Sequence, residues 1–146
     1  MDVDFEIKNL TSFKIGGKIA RMYFPVSLEE FIEIIKNEPD ALIVGNLSNT
    51  LVSSFGYNGA VISTSKMNEI SIKNTTVIAG AGVKGPKLSQ TAAENCLSGL
   101  EFMIGFPGSV GGEVYMNASA NGQSVADVLK SVKVYCPEKG IITIPK

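Results

Sequence analysis

There is no histidine among the 146 residues. That removes Ser-His-Asp and Cys-His nucleophilic mechanisms, histidine proton shuttles and the usual zinc sites. Cysteine is scarce as well. Cys96 and Cys136 are too few for a disulfide framework and are expected as reduced, mostly buried thiols, so no metal site is expected either. An excess of one charge is also missing: 13 basic groups face 14 acidic ones, for a net charge of -1. With no local basic cluster, nothing draws the chain toward nucleic acid. No apolar run approaches the roughly 20 residues that span a bilayer, so no membrane partner is expected. The opening MDVDFEIKNL is acidic and has no apolar segment of the kind a signal peptide carries, which gives the cytoplasm as the expected location. The chemistry left open must come from a cofactor, or from Ser, Tyr, Lys, Arg, Asp or Glu.

The composition, 45% apolar and 18% charged, is that of a globular chain. IARMYFPV (Ile19 to Val26) has the character of a strand ending at Pro25. SLEEFIEIIKN follows, with Ser27 as N-cap and Glu30 three residues on, the capping-box spacing. Leu28, Phe31, Ile34 and Ile35 share one helical face, which predicts an amphipathic helix against a sheet. ALIVG (Ala41 to Gly45) is continuously apolar, as in a buried parallel strand, completing a β-α-β unit. A further strand is predicted through Val61, then a hairpin of EISIKN and TTVIAGAG turning at Asn74. KGPKLSQTAAENC predicts a helix with Pro86 in its first turn. SVKVYCPEKGIITIPK predicts a closing hairpin. The order gives an α/β subdomain over residues 1–64 and a β-rich α+β subdomain over 65–146.

Three stretches carry candidate site residues. VGNLSNT follows the carboxyl end of a predicted strand, where ligands of open α/β sheets bind. Gly45, Asn46, Ser48 and Asn49 there offer backbone N–H, amide and hydroxyl donors suited to a phosphate or pyrophosphate, or form an ordinary polar turn. GAGVKG places Gly80, Gly82 and Gly85 as a literal GxGxxG. A Rossmann NAD(P) site using it would take Glu101 for a ribose hydroxyl; a different nucleotide fold and a structural turn are the competing readings. The third is GLEFMIGFPGSVGGEVYMN, from Gly99 to Asn117. It lacks the Gly-Lys-Ser/Thr of a P-loop. Its GSVGGEVYMN is expected as a short helix whose N-terminus at Ser109 points N–H groups outward to an anion. Phe102, Met103, Ile104 and Phe106 are expected to wall a flat ring system. Residue by residue, this describes a pyrophosphate-containing cofactor lying along glycine-lined loops.

SFKIGGKIARMYFPVSLEEF, VGNLSNTLV with GYNGAVI, AGAGV, and LSGLEFMIGFPGSVGGEVYMNASANG together resemble the UDP-N-acetylenolpyruvoylglucosamine reductase (UDP-N-acetylmuramate dehydrogenase) family in motif order and spacing. The resemblance implies an α+β fold, the FAD-binding fold of the vanillyl-alcohol oxidase type, with FAD between two α+β subdomains. It assigns Gly45, Asn46, Leu47, Ser48 and Asn49 to a first pyrophosphate loop. It places Gly80, Ala81, Gly82 and Val83 at a cofactor-side strand end. It gives Gly105, Pro107, Gly108, Ser109, Val110, Gly111, Gly112, Asn117 and Ala118 to the rest of FAD. In the family, NADPH reduces the flavin, which passes hydride to the enolpyruvyl group of a sugar nucleotide, forming UDP-N-acetylmuramate for peptidoglycan. Leu47 stands where the family usually has glycine. Ser119 and Asn121 replace a glycine and a tyrosine of its pattern. The family's catalytic Arg, Ser and Glu belong to a further half holding the substrate domain, so no catalytic residue is expected here. The fold is expected to be truncated after IITIPK, with a strand edge open to self-association. The chain alone is expected not to turn over the sugar nucleotide; the alternative reading is a non-catalytic remnant or binding module that keeps the fold without flavin.

Overall fold

A computed structural model describes residues 1–146. The fold is α+β. Four strands form the first sheet: β1 (Asp2–Glu6), β2 (Lys18–Tyr23), β3 (Leu42–Val44) and β4 (Tyr57–Ser63), in the order β1-β2-β4-β3. β1 pairs antiparallel with β2, while β4 runs parallel to both β2 and β3. The expected β-α-β unit therefore closes with β4 inserted between its two strands. β3 lies at the sheet edge, and Leu42 and Ile43 are 50% and 55% exposed. This corrects the expectation of a buried strand: an apolar run gives no information on whether a neighbour covers both faces.

α1 (Leu28–Asn37) begins as its sequence predicts. The Glu30 N–H donates to Ser27 Oγ at 3.2 Å, and the Val26 N–H donates to the Glu30 carboxylate at 2.8 Å. Just past its C-terminus, Glu38 accepts hydrogen bonds from Arg21 Nε at 2.7 Å, Arg21 Nη2 at 3.1 Å and the Tyr23 hydroxyl at 2.9 Å. This planar pairing ties α1 to β2 and holds the Glu38 carboxyl below the usual range, chiefly through the Arg21 hydrogen bond.

β5 (Ile70–Lys73) and β6 (Thr76–Ala79) form the predicted hairpin, turning at Asn74 with φ +55°. α2 (Gly85–Glu94) carries Pro86 in its first turn. A 3₁₀ turn (Glu101–Gly105) leads to α3 (Val110–Tyr115), N-capped by Ser109. β7 (Ser119–Ala120) and β8 (Gln123–Ser124) make a small hairpin before α4 (Val125–Val128). β9 (Ser131–Cys136) and β10 (Gly140–Pro145) pair with one another as a separate two-stranded sheet.

Apolar packing gathers in two places. Ile7, Ile19, Met22, Leu47 and Val61 form one buried cluster under the first sheet. Val83, Leu88, Phe102, Met103 and Val125 form the other, between α2 and the glycine-rich segment. Phe102 and Met103 are 5% and 3% exposed, so they are core residues and not walls for a ring, because the 3₁₀ turn points them inward. Both thiols are free, and Cys96 is exposed where burial was expected. It follows α2 in a left-handed turn with φ +56°. No helix is long and apolar enough to cross a membrane.

Candidate functional site

The loop after β3 meets the glycine-rich segment face to face. Asn46 Nδ2 donates to the Pro107 carbonyl at 2.6 Å. A Cβ on Gly45 would collide with Ser109 Oγ and stand 3.9 Å from the Gly112 nitrogen. Only glycine lets these two loops approach so closely. The Gly80–Val83 strip lies behind them. Val110 N–H donates to the Val83 carbonyl at 2.8 Å and Gly111 N–H to the Ala81 carbonyl at 2.9 Å. On the other side of the strip, Gly80 N–H donates to the Glu69 carbonyl and Gly82 N–H to the Met67 carbonyl, each at 2.9 Å. Gly82 has no room for a side chain against the Thr64 carbonyl.

These bonds correct two expectations. The first two N–H groups of α3 do not point outward to an anion, because the Ala81 and Val83 carbonyls already occupy them. Nor is GAGVKG a Rossmann turn. Its preceding strand is one arm of an antiparallel hairpin, and its glycines make room for backbone pairing. Glu101, the candidate for a ribose hydroxyl, accepts from the Gly99 N–H at 2.7 Å instead.

What remains free is a small set of donors around Gly45. The backbone N–H groups of Asn46, Leu47, Ser48 and Asn49 donate to no protein acceptor, and neither does that of Gly112. Ser109 Oγ is buried without a hydrogen-bonding partner. Consecutive unpaired N–H groups in a loop that enters the left-handed region form an anion-binding concavity. Leu47 makes that entry, with φ +54°. Its side chain leaves the concavity for the core beside Ile19 and Val61 and is 4% exposed. Only its backbone is therefore available to a ligand. Beneath the loop, an apolar cleft of about 200 Å³ is lined by Leu42, Val44, Leu47, Leu51, Val52 and Tyr57, among others.

Other predicted residues lie elsewhere. Gly105 is exposed, with nothing within 4 Å of its Cβ position. Asn117 uses its side-chain oxygen to accept from the Ala126 N–H at 2.9 Å, serving the start of α4. Ala118 packs against the second apolar cluster. Residue types and spacing did not single out Glu113. It is 5% exposed in the first turn of α3, with both carboxyl oxygens unpartnered. Burial pushes its carboxyl up to about 7, against a smaller pull from the Gly85 N–H. The sequence signal was a lone carboxylate inside a glycine-rich, otherwise apolar run.

The family model described as an FAD binding domain matches residues 20–144. The chain is 41% identical to the UDP-N-acetylenolpyruvoylglucosamine reductase of Caldicellulosiruptor saccharolyticus, over 98% of this chain and 47% of that protein. It is 44% identical to the reductase of the same name from Syntrophomonas wolfei, over 90% of this chain and 46% of that one. The crystal structure of the Thermus caldophilus reductase superposes with a TM-score of 0.82 at 30% identity, covering 97% of this chain and 51% of that one. The chain thus spans about half the length of the curated relatives it matches.

Proposed function

Because the chain belongs to the FAD-binding domain family, we propose that it holds FAD as the flavin-carrying portion of a UDP-N-acetylenolpyruvoylglucosamine reductase. In that role it works in the cytoplasm, in peptidoglycan precursor synthesis, with NADPH as reductant and an enolpyruvyl sugar nucleotide as substrate. Bound FAD supplies the ring that accepts and donates hydride. The chain's own residues bind and orient it.

The observation that carries this reading is the cluster of unpaired donors between the two loops. The Asn46 to Asn49 and Gly112 N–H groups, with the orphaned Ser109 hydroxyl, fit the oxygens of a diphosphate without a cation. Gly45 keeps the space beside them clear of side chains. Asn46 fixes one loop to the other through Pro107, so the donors are positioned before the ligand arrives. We further propose residues 1–64 and 65–146 as the two subdomains that flank the cofactor. The Gly80–Val83 strip acts as a rigid backing and need not contribute a donor of its own.

The test is to purify the chain and titrate it with FAD by flavin fluorescence and visible absorption. Saturable binding is expected. Gly45→Val is expected to weaken it by at least about tenfold, or ~1.4 kcal/mol, while the melting transition stays cooperative. A folded wild-type chain indifferent to FAD overturns the reading.

A further inference from the structure

Glu113 is a buried acid whose carboxyl oxygens make no hydrogen bond of ordinary geometry, the Gly85 N–H being the one neighbouring donor that acts on it. Its Oε1 lies 2.7 Å from where a Cβ on Gly85 would stand and 3.1 Å from that position on Gly108. Those two glycines are the room this side chain occupies. The cost of keeping a carboxylate there without partners is large unless the group is neutral.

The elements around it carry few charges, and none is its partner. Lys84, just before α2, and Lys87 on it border a polar hollow with Ser65 and Asn68. On the 3₁₀ turn, Glu101 is taken by the Gly99 N–H. On α4, Asp127 accepts from the Ser124 N–H and hydroxyl, at 2.8 Å each. Tyr115, on α3 itself, is 88% exposed. The Gly80–Val83 strip has no ionisable side chain. Burial and the Gly85 N–H alone act on the Glu113 proton, and they leave the carboxyl at about 7.

Glu113 also directly follows Gly112, whose free N–H belongs to the donor cluster around Gly45. A diphosphate seated there adds negative charge at the residue that precedes Glu113, whose carboxyl, beside Gly108, has no cationic partner. We propose that FAD binding by this chain is proton-linked through Glu113, the neutral carboxyl accompanying the bound diphosphate and the ionised carboxylate opposing it. The inference rests on the reading of the donor cluster as the diphosphate site. Above neutrality, the binding step takes up one proton from solvent, which stays on the Glu113 carboxyl while FAD is bound. Below it, the proton is already in place.

The experiment is FAD titration of the chain at about pH 6 and about pH 8, by flavin fluorescence, together with Glu113→Gln. For the wild type, Kd is expected to rise several-fold, up to about tenfold, across that interval. For Glu113→Gln, Kd is expected to stay flat. Mixing wild-type chain and FAD in weakly buffered indicator dye at about pH 8 is expected to show proton uptake, a readout that needs no variant. A wild-type Kd independent of pH without proton uptake overturns the linkage. So does a Glu113→Gln slope equal to the wild type's. Absence of FAD binding by folded wild type at both pH values overturns the diphosphate site itself, and the linkage with it.

Discussion

Leu47 occupies a conformation that glycine adopts freely and a leucine pays about 1–2 kcal/mol to enter. Its φ is +54°. The side chain offsets that cost by burial beside Ile7, Ile19, Met22 and Val61, which contributes about 1.5–3 kcal/mol for a leucine. The loop thus keeps the turn of a glycine-bearing loop while adding a peg into the core. Glu113 is the opposite case, a residue whose burial is a liability. Its folded-state carboxyl titrates at about 7 against an ordinary 4.5, so the folded chain binds more protons than the unfolded one between those values. Stability is therefore full below about 4.5, falls as pH rises to about 7, and stays lower above that. Calorimetric melting is expected to show the wild type losing about 1–3 kcal/mol across this window. Glu113→Gln is expected to remove most of that loss, with a higher melting temperature than wild type at about pH 8. Equal pH dependence in both proteins would show that another group is responsible.

Each element's start is set by a few local bonds. α1 owes its start to Ser27 and Glu30, whose side chains satisfy backbone donors that the first turn leaves unpaired. Ser27→Ala is expected to cost about 1 kcal/mol and to lower the melting temperature by about 2–4 °C, with FAD affinity unchanged, because no hydrogen bond joins α1 to the donor cluster. α3 starts differently. Ser109 leaves its hydroxyl free, and carbonyls of a distant strip hold the first N–H groups. A six-residue helix is marginal by itself, so its position depends on the Gly80–Val83 strip. Close contact of Gly111 with Ala81 is what fixes that spacing.

At the scale of the whole molecule, the residues proposed to meet the cofactor do so through backbone N–H groups and the Ser109 hydroxyl. Relatives that this chain matches are about twice its length. With added FAD and NADPH, the chain is expected to show no NADPH oxidation dependent on the enolpyruvyl sugar nucleotide. A substrate-dependent rate of the kind a complete reductase gives would refute that division of labour.

The sequence by itself determined the elements whose causes are local. α1 was legible from Ser27, Glu30 and its apolar stripe, the β5–β6 and β9–β10 hairpins from alternation and turn residues, and α2 from Pro86. β1 has no such local cause: Asp2, Asp4 and Glu6 make the segment polar, and its pairing with β2 sets it. The family resemblance was legible in the order and spacing of its motifs, several of whose glycines (Gly45, Gly82, Gly85 and Gly111) leave no room for a side chain. Tertiary structure decided which donors stay free. Whether the Val110, Gly111 and Gly112 N–H groups face a ligand depends on where the Ala81 and Val83 carbonyls lie, far away in the chain. It decided that Leu47 turns into the core, that Phe102 and Met103 are buried packing, and that β3 lies at an edge. It alone revealed Glu113 as a buried, unpartnered acid, because desolvation is a property of everything that surrounds a group and not of the residue itself.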